Sequence, residues 1–316
     1  MAARVTPAFR PSSMSTKQPF LKPKNPRLLV IGGSGRLGPL LRQAWSPAFA
    51  AAAEPAPENI VWQARRESAF AGQGGPSVVF DPMRDPEAFA AAARACDVIV
   101  NLAGVTAGTP EALALNTTLA RAALDAADAA GGRPVLLASS AAVYGAGHAG
   151  ICRETDAPAP LAPYGAAKAA MEEALAGRAG AIWLRIGNVA GADALLGRAA
   201  PEGGRVLDIL PDGQGPRRSF IGPQALAAAL ARLVRLAAAG ADLPSVLNLS
   251  LAGALPMDAL LAAAGETWVP RPAPAGVIAQ VELDVTRAVD LGLVPETPAR
   301  AAAVVADLRA LQETRA

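Results

Sequence analysis

The sequence predicts an α/β protein: a doubly wound parallel sheet with a smaller C-terminal lobe. Three observations lead there. Short runs rich in Val, Ile and Leu recur between residues 27 and 186, helical patterns separate them, and the first run ends in a cluster of glycines. Strands apolar at consecutive positions are buried on both faces, as in a parallel sheet covered by helices on each side.

The elements follow in order. "RLLVIGG" from Arg27 is a strand entering glycines, and "GPLLRQAW" opens a helix after it. "NIVWQAR" is the second strand and "SVVFDP" the third, the latter followed by the helix "DPEAFAAAARA". "DVIVNLAG" is the fourth strand, and a long helix runs through "PEALALNTTLARAALDAADAAGG". "PVLLASS" is the fifth strand; "YGAAKAAMEEALAG" is a helix closed by Gly177; "AIWLRIGN" is the sixth strand. Right-handed crossovers turn this order into a Rossmann-type fold. Beyond residue 187 the pattern loosens into Gly- and Pro-rich text. "QALAAALARLVRLAAAG" is a helix, and "SVLNLS" a strand returning to the sheet. The expected division is a leader at 1–26, a dinucleotide-binding domain at 27–186 plus about 217–250, and a substrate lobe from about 187–216 and 251–316. That lobe is expected to cover the carboxyl edge of the sheet.

A chain of 316 residues, 52% hydrophobic, can bury one large core. A net charge of +2 excludes nucleic acid as an expected partner. No long apolar run suggests a membrane span, and the basic, Ser- and Pro-rich leader lacks the apolar stretch of a secretion signal. The leader reads as disordered, with Met14 as an alternative start. Cys96 and Cys152 fit no metal-ligand spacing and read as reduced thiols of a cytoplasmic protein. No metal site is expected. His148, the one histidine, reads as a solvated loop residue.

The glycine cluster "GGSGRLG" covers Gly32, Gly33, Ser34, Gly35, Arg36, Leu37 and Gly38. It follows a strand and opens a helix, the setting in which glycines bring backbone N–H groups and a helix N-terminus against a pyrophosphate. A carboxylate after the second strand would hold ribose hydroxyls; here Arg65 and Arg66 stand there, with Arg36 in the turn. Guanidinium groups suit a 2′-phosphate, so NADP(H) is the preferred cofactor and NAD(H) the alternative.

Lysine is rare: Lys17, Lys22, Lys24 and Lys168 are all there are among 29 basic residues. Lys168 lies four residues after Tyr164, one of two tyrosines, so both side chains share a helix face. Ser139 and Ser140 end the strand beside that helix. An ammonium is expected to lower the phenol pKa from about 10, letting Tyr164 exchange a proton with a substrate oxygen held by Ser140. Lys168 would also donate to the nicotinamide ribose.

These residues, in this order from 27 to about 250, make the chain resemble an extended short-chain dehydrogenase/reductase of the NAD-dependent epimerase/dehydratase family. The resemblance rests on the glycine turn, Asp81 in "VVFDP", "NLAG" at 101–104, Asn116, "SSAAVYG", "PYGAAK" and "LRIGNVAG". It implies that Asp81 and Leu102, Ala103 and Gly104 contact cofactor, with Ser140, Tyr164, Lys168 and Asn116 carrying the chemistry. It also implies that Ser140, Asn188 and Arg218 meet substrate, Arg218 gripping a diphosphate. Tyr144 is read as packing. Family dehydratases place an Asp-Glu pair after the catalytic hydroxyl; Ala141 and Ala142 stand here, which disfavours dehydration. The expected activity is oxidoreductase or epimerase chemistry at a carbinol/carbonyl carbon of a nucleotide sugar. The alternatives are an NADPH-dependent reductase of small carbonyl compounds and a non-catalytic NAD(P)-binding sensor. The usual His-Val-x-Asp after the arginine is replaced by Ile221, Gly222, Pro223 and Gln224, which weakens the sugar-nucleotide case. A homodimer paired through a helix such as 224–240 is a further expectation.

Overall fold

A computed structural model describes residues 25–46, 56–67, 75–147, 150–199, 201–202 and 204–313. The expectations for the leader up to residue 24, including Met14, and for His148 lie outside these residues. The chain begins with β1 (Arg27–Ile31), α1 (Leu37–Ala44), β2 (Asn59–Ala64), β3 (Ser77–Val79), α2 (Pro86–Arg94), β4 (Val98–Asn101), α3 (Pro110–Ala129) and β5 (Val135–Ser140). A 3-10 turn over Ala141–Tyr144 and β6 (Ile151–Cys152) lead to α4 (Pro163–Ala174) and β7 (Ala181–Ile186). Next come β8 (Asn188–Val189), β9 (Arg205–Ile209), β10 (Arg217–Arg218), β11 (Phe220–Ile221), α5 (Pro223–Ala238) and β12 (Val246–Leu249). The chain closes with β13 (Leu255–Pro256), α6 (Met257–Ala264), β14 (Trp268–Pro272), β15 (Gln280–Leu283), α7 (Thr286–Asp290) and α8 (Ala301–Glu313).

Seven strands form the central sheet in the order β12-β7-β5-β4-β1-β2-β3, with every pair parallel. Its strands alternate between two buried faces. Leu28, Val30, Val98, Val100 and Leu136 enter one core, and Leu29, Ile31, Ile99, Val135 and Leu137 the other. Each is at most 1% exposed. Each such burial contributes roughly 1.5–3 kcal/mol relative to an exposed side chain, so apolar residues are favoured at consecutive positions. The edge strand β3 is only three residues long, a short edge that offers little to a foreign strand. The order reverses between β1 and β4, which opens a crevice at their carboxyl ends.

The region from 188 to 221 holds two-residue strands that pair with distant segments: β8 with β11, and β10 with β13 and β15. Such pieces are too short to display a period. The C-terminal segment joins the main core, since Ala288, Leu293, Val294 and Leu311 cluster with Leu28 and Val30. Asp307 on α8 accepts from the backbone N–H groups of Gln224 (2.8 Å) and Ala225 (3.0 Å), capping the N-terminus of α5. A Cβ on Gly222 would lie 2.2 Å from Asp307 Cγ, so a side chain there would displace the Asp307 carboxylate from this cap.

Two expectations change. Helix α4 ends at Ala174, with Gly177 lying past it at φ +75°. Helix α5 has no exposed residue from Pro223 to Ala237; it packs inside the chain against α1 and α8. Its apolar face is already covered, so it does not offer the pairing surface read from the sequence.

Candidate active site

The glycine turn follows β1 because Gly32 takes φ +79°, where a Cβ would lie 2.6 Å from the Ala103 nitrogen. A Cβ on Gly38 would lie 2.0 Å from the Gly33 carbonyl oxygen, so these two glycines let α1 press against the turn. Gly35 meets only the Gly32 oxygen, at 3.2 Å. Helix α1 carries neither a side-chain cap nor an acidic residue in its first turn, leaving its N-terminus suited to an anion.

A cavity of about 640 Å³ lies over this turn. Gly32, Ser34, Gly35, Arg36, Leu37, Arg65, Asp81, Leu102, Ala103, Gly104, Asn116, Ser140, Tyr164, Lys168 and Asn188 all line it. Four candidates do not. Gly33 and Gly38 are buried under the turn, and Arg66 is exposed. Arg218 donates to the backbone carbonyls of Arg217 (2.7 Å) and Ile278 (2.9 Å) in the small sheet of β10 and β15. The cavity fits a dinucleotide: glycine backbone faces one end, Arg36 and Arg65 give it positive charge, and Asp81 stands at the end of β3. Asp81 also accepts from the Met83 N–H (2.9 Å), so it serves a turn as well as the cavity.

Tyr164, Lys168 and Glu172 lie one turn apart along α4. The Lys168 ammonium is 4% exposed and donates to the Ala138 carbonyl at 2.7 Å. Gly104 passes beside it: a Cβ there would lie 3.3 Å from Lys168 Nζ and 2.8 Å from Asn116 Oδ1. Asn116 holds that loop by donating to the Val105 carbonyl (2.9 Å) and accepting from the Val105 N–H (3.2 Å). Its role in this geometry is to shape the loop next to Lys168.

The acidities differ from the sequence reading. Burial pushes the Tyr164 phenol above its ordinary 10; the Ser140 hydroxyl and the Arg36 charge oppose that rise. Lys168 turns to Ala138 and does not offset it. Burial pushes Lys168 itself down to about 8, with Glu172 pulling upward. A protonated phenol is thus the neutral-pH form, suited to donating a proton.

Sequence reading missed several residues. Gln63 at the end of β2 accepts from the Gly32 N–H (3.1 Å) and donates to the Phe80 carbonyl (2.6 Å), tying the glycine turn to β3. Arg185 on β7 and Glu172 form an ion pair at 2.7 Å with side chains 5% and 8% exposed. Ser139 donates to the same carboxylate. Arg185 also donates to the Tyr144 hydroxyl (2.9 Å), which donates to Asn248 Oδ1 (2.7 Å). Tyr144 is therefore a hydrogen-bonded core residue. An arginine inside the apolar run "AIWLRIGN" was the available signal, since a buried charge needs a partner.

Cys96 and Cys152 are buried free thiols, both pushed up to about 11 by burial. Among the described residues no group of three or more His, Cys, Asp or Glu is arranged to hold a metal ion. No helix among them is long and apolar enough to cross a membrane.

The profile of the NAD dependent epimerase/dehydratase family matches residues 28–210, more than half of the chain. No curated protein matches the chain. Among solved structures, a UDP-glucose-4-epimerase from Stenotrophomonas maltophila, with bound NAD and formylated UDP-arabinopyranose, superposes with TM-score 0.72 at 21% identity. That comparison covers 92% of this chain and 98% of the other. The UDP-Glc/GlcNAc 4-epimerase from Campylobacter jejuni gives TM-score 0.67 at 21% identity, covering 91% and 99%. TunA, an NAD dependent NDP-hexosamine 5,6-dehydratase of tunicamycin biosynthesis, gives 0.68 at 18%, covering 92% and 99%. At these identities the likeness is one of fold.

Proposed function

Because the chain belongs to the NAD dependent epimerase/dehydratase family, we propose that it is an NAD(P)-dependent enzyme acting at a carbinol/carbonyl carbon of a nucleotide sugar. The observation that carries this reading is the convergence of Ser140, Tyr164 and Lys168 on a cavity floored by the glycine turn. Gly32, Ser34, Gly35 and Arg36 would hold the dinucleotide phosphates, Arg65 its adenosine end, and Lys168 its nicotinamide ribose. The bound dinucleotide supplies the hydride donor or acceptor.

The protein's own part is proton handling. Tyr164 gives its proton to the carbonyl oxygen of the substrate as that carbon is reduced. Ser140 donates a hydrogen bond to the same oxygen and holds it in place. In the oxidising direction the Tyr164 phenolate takes the proton from the substrate hydroxyl and becomes the phenol again; Arg36 is the charge that favours the ionised form. Nothing after Ser140 supplies a second acid/base pair, because Ala141 and Ala142 occupy the 3-10 turn. We therefore read the chain as an epimerase or reductase rather than a dehydratase.

A second reading, reduction of a small carbonyl compound, is favoured by Arg218. Its guanidinium is engaged by two backbone carbonyls and does not line the cavity, whereas a diphosphate grip would need it there. The test is to gel-filter the protein and offer it UDP-sugars with no added cofactor. Interconversion of epimers supports the epimerase; a requirement for stoichiometric NADPH, consumed one per turnover, overturns it in favour of the reductase.

The cofactor reading is tested alongside. NADP(H) is expected to bind more tightly than NAD(H) at equal salt. Arg65→Asp should weaken NADP(H) roughly 10-fold, the loss of one charge-assisted contact. If NAD(H) binds the wild-type protein more tightly, the preference is wrong.

A further inference from the structure

Two successive residues of β5 each hold one turn of α4, and the third faces the same cavity as the turn before them. The Ala138 carbonyl accepts from Lys168, the Ser139 hydroxyl donates to Glu172, and Ser140 lines the cavity together with Tyr164. The strand that carries the candidate hydroxyl and the helix that carries the candidate phenol are thus stitched together at 138 and 139. Glu172 is the one of these three helix residues with no place in the cavity. It is nonetheless a charged group buried to 8% exposure, which ordinarily demands a reason.

Arg185 answers half of the question. It holds Glu172 through Nη2 at 2.7 Å and through Nε at 3.1 Å, and is itself held by the Tyr144 hydroxyl. The other half lies on α4 itself, where Glu172 is one turn beyond Lys168 on the same face. A lysine taken out of water tends to give up its proton, and an anion one turn away opposes that loss. The titratable or charged neighbours of Lys168 are Tyr164 and Glu172 on its own helix and Arg185 on β7 behind the carboxylate. The strand β5 and helix α3 present only a carbonyl, two hydroxyls and the Asn116 amide. The remaining charges of the cavity, Arg36, Arg65, Asp81 and Asp193, belong to other walls.

We propose that Glu172 is a positioning residue of the active site: anchored by Ser139 and Arg185, it keeps the buried Lys168 in its ammonium form. The inference rests on the hydride-transfer reading for its purpose, but its measurement needs neither cofactor nor substrate. Burial lowers the pKa of Lys168 to about 8, and Glu172 is the charge working against that fall.

The chain's few lysines make the test direct. In protein carrying [13C]ε-lysine, at most four side-chain signals appear, from Lys17, Lys22, Lys24 and Lys168, and Lys168→Met assigns the last. In Glu172→Gln the Lys168 titration midpoint is expected to fall by about one unit or more. That variant leaves Arg185 buried without its anion and is prone to unfold. Glu172→Met/Arg185→Met removes both charges and fills the same space. The anion acts on Lys168 more strongly than the guanidinium behind it, so the midpoint should fall in the same direction by a smaller amount. A midpoint unmoved in whichever variant folds overturns the proposal, because a merely structural Glu172 would leave Lys168 titrating as before. The two readings fail separately. Full turnover in Tyr164→Phe would sink hydride transfer yet leave the Lys168 midpoint untouched, and an unmoved midpoint would leave hydride transfer standing.

Discussion

Lys168→Met lowers turnover by about 10²–10⁴-fold and changes how stability depends on pH. The kinetic loss follows from position, because Lys168 Nζ lies beside Gly104 on the cavity wall and one turn from Tyr164. The stability effect follows from burial. Lys168 titrates near 8 in the folded protein and near its ordinary 10.5 once unfolded. Below 8 both states carry the proton, and holding a buried ammonium costs the fold roughly 3 kcal/mol. Between 8 and 10.5 the unfolded chain binds more protons than the folded one, so stability contributed at this position rises with pH. Above 10.5 neither state is charged and the cost is gone. Urea unfolding of both proteins from pH 7 to 10 reads this directly. Relative to Lys168→Met, the wild-type protein should gain stability across that window by an amount on the order of 1–3 kcal/mol. Parallel stability curves would mean that Lys168 is not desolvated as its surroundings indicate.

Much of the architecture was legible because it is written in local terms. Runs such as "RLLVI" and "DVIVN" must be apolar at every position when both faces of the strand are covered, and no other arrangement accounts for them as simply. The glycine turn was legible for a steric reason, since Gly32 and Gly38 occupy places where a Cβ collides with backbone. Tyr164 and Lys168 were legible from helical spacing and from the rarity of lysine, and the structure brings both to the cavity wall beside Ser140 and Asn188.

What stayed hidden depends on distant partners. The two-residue strands from 188 to 221 exist only through pairing with segments far along the chain. Arg218 read as a substrate ligand because it stands where the resemblance places an arginine that grips a diphosphate. In the fold its guanidinium serves the carbonyls of Arg217 and Ile278. Helix α5 read as an exposed pairing surface because α8, which covers it, lies some seventy residues away and has no signature in the sequence of α5. The phenol acidity was misjudged for the same reason. Helical spacing puts Tyr164 and Lys168 on one face, but the direction of the ammonium is set by the Ala138 carbonyl on another element. Asp307 capping α5 explains what stands in place of the expected His-Val-x-Asp run: an anchor from the C-terminal helix supplies the local order.

The central claim is that the Tyr164 oxygen moves the proton while hydride moves at the adjacent carbon, and Tyr164→Phe isolates that oxygen. The ring and its packing on α4 remain, and only the hydroxyl is removed from the cavity that Ser140 also lines. Single-turnover hydride transfer is to be followed with whichever substrate the gel-filtered protein accepts, and NAD(P)H affinity by fluorescence titration on the same samples. The expected result is a rate reduced about 10²–10⁴-fold with affinity unchanged within about 2-fold. A Tyr164→Phe protein that turns over at the wild-type rate would contradict the assignment, and so would one whose loss of rate is matched by an equal loss of cofactor affinity.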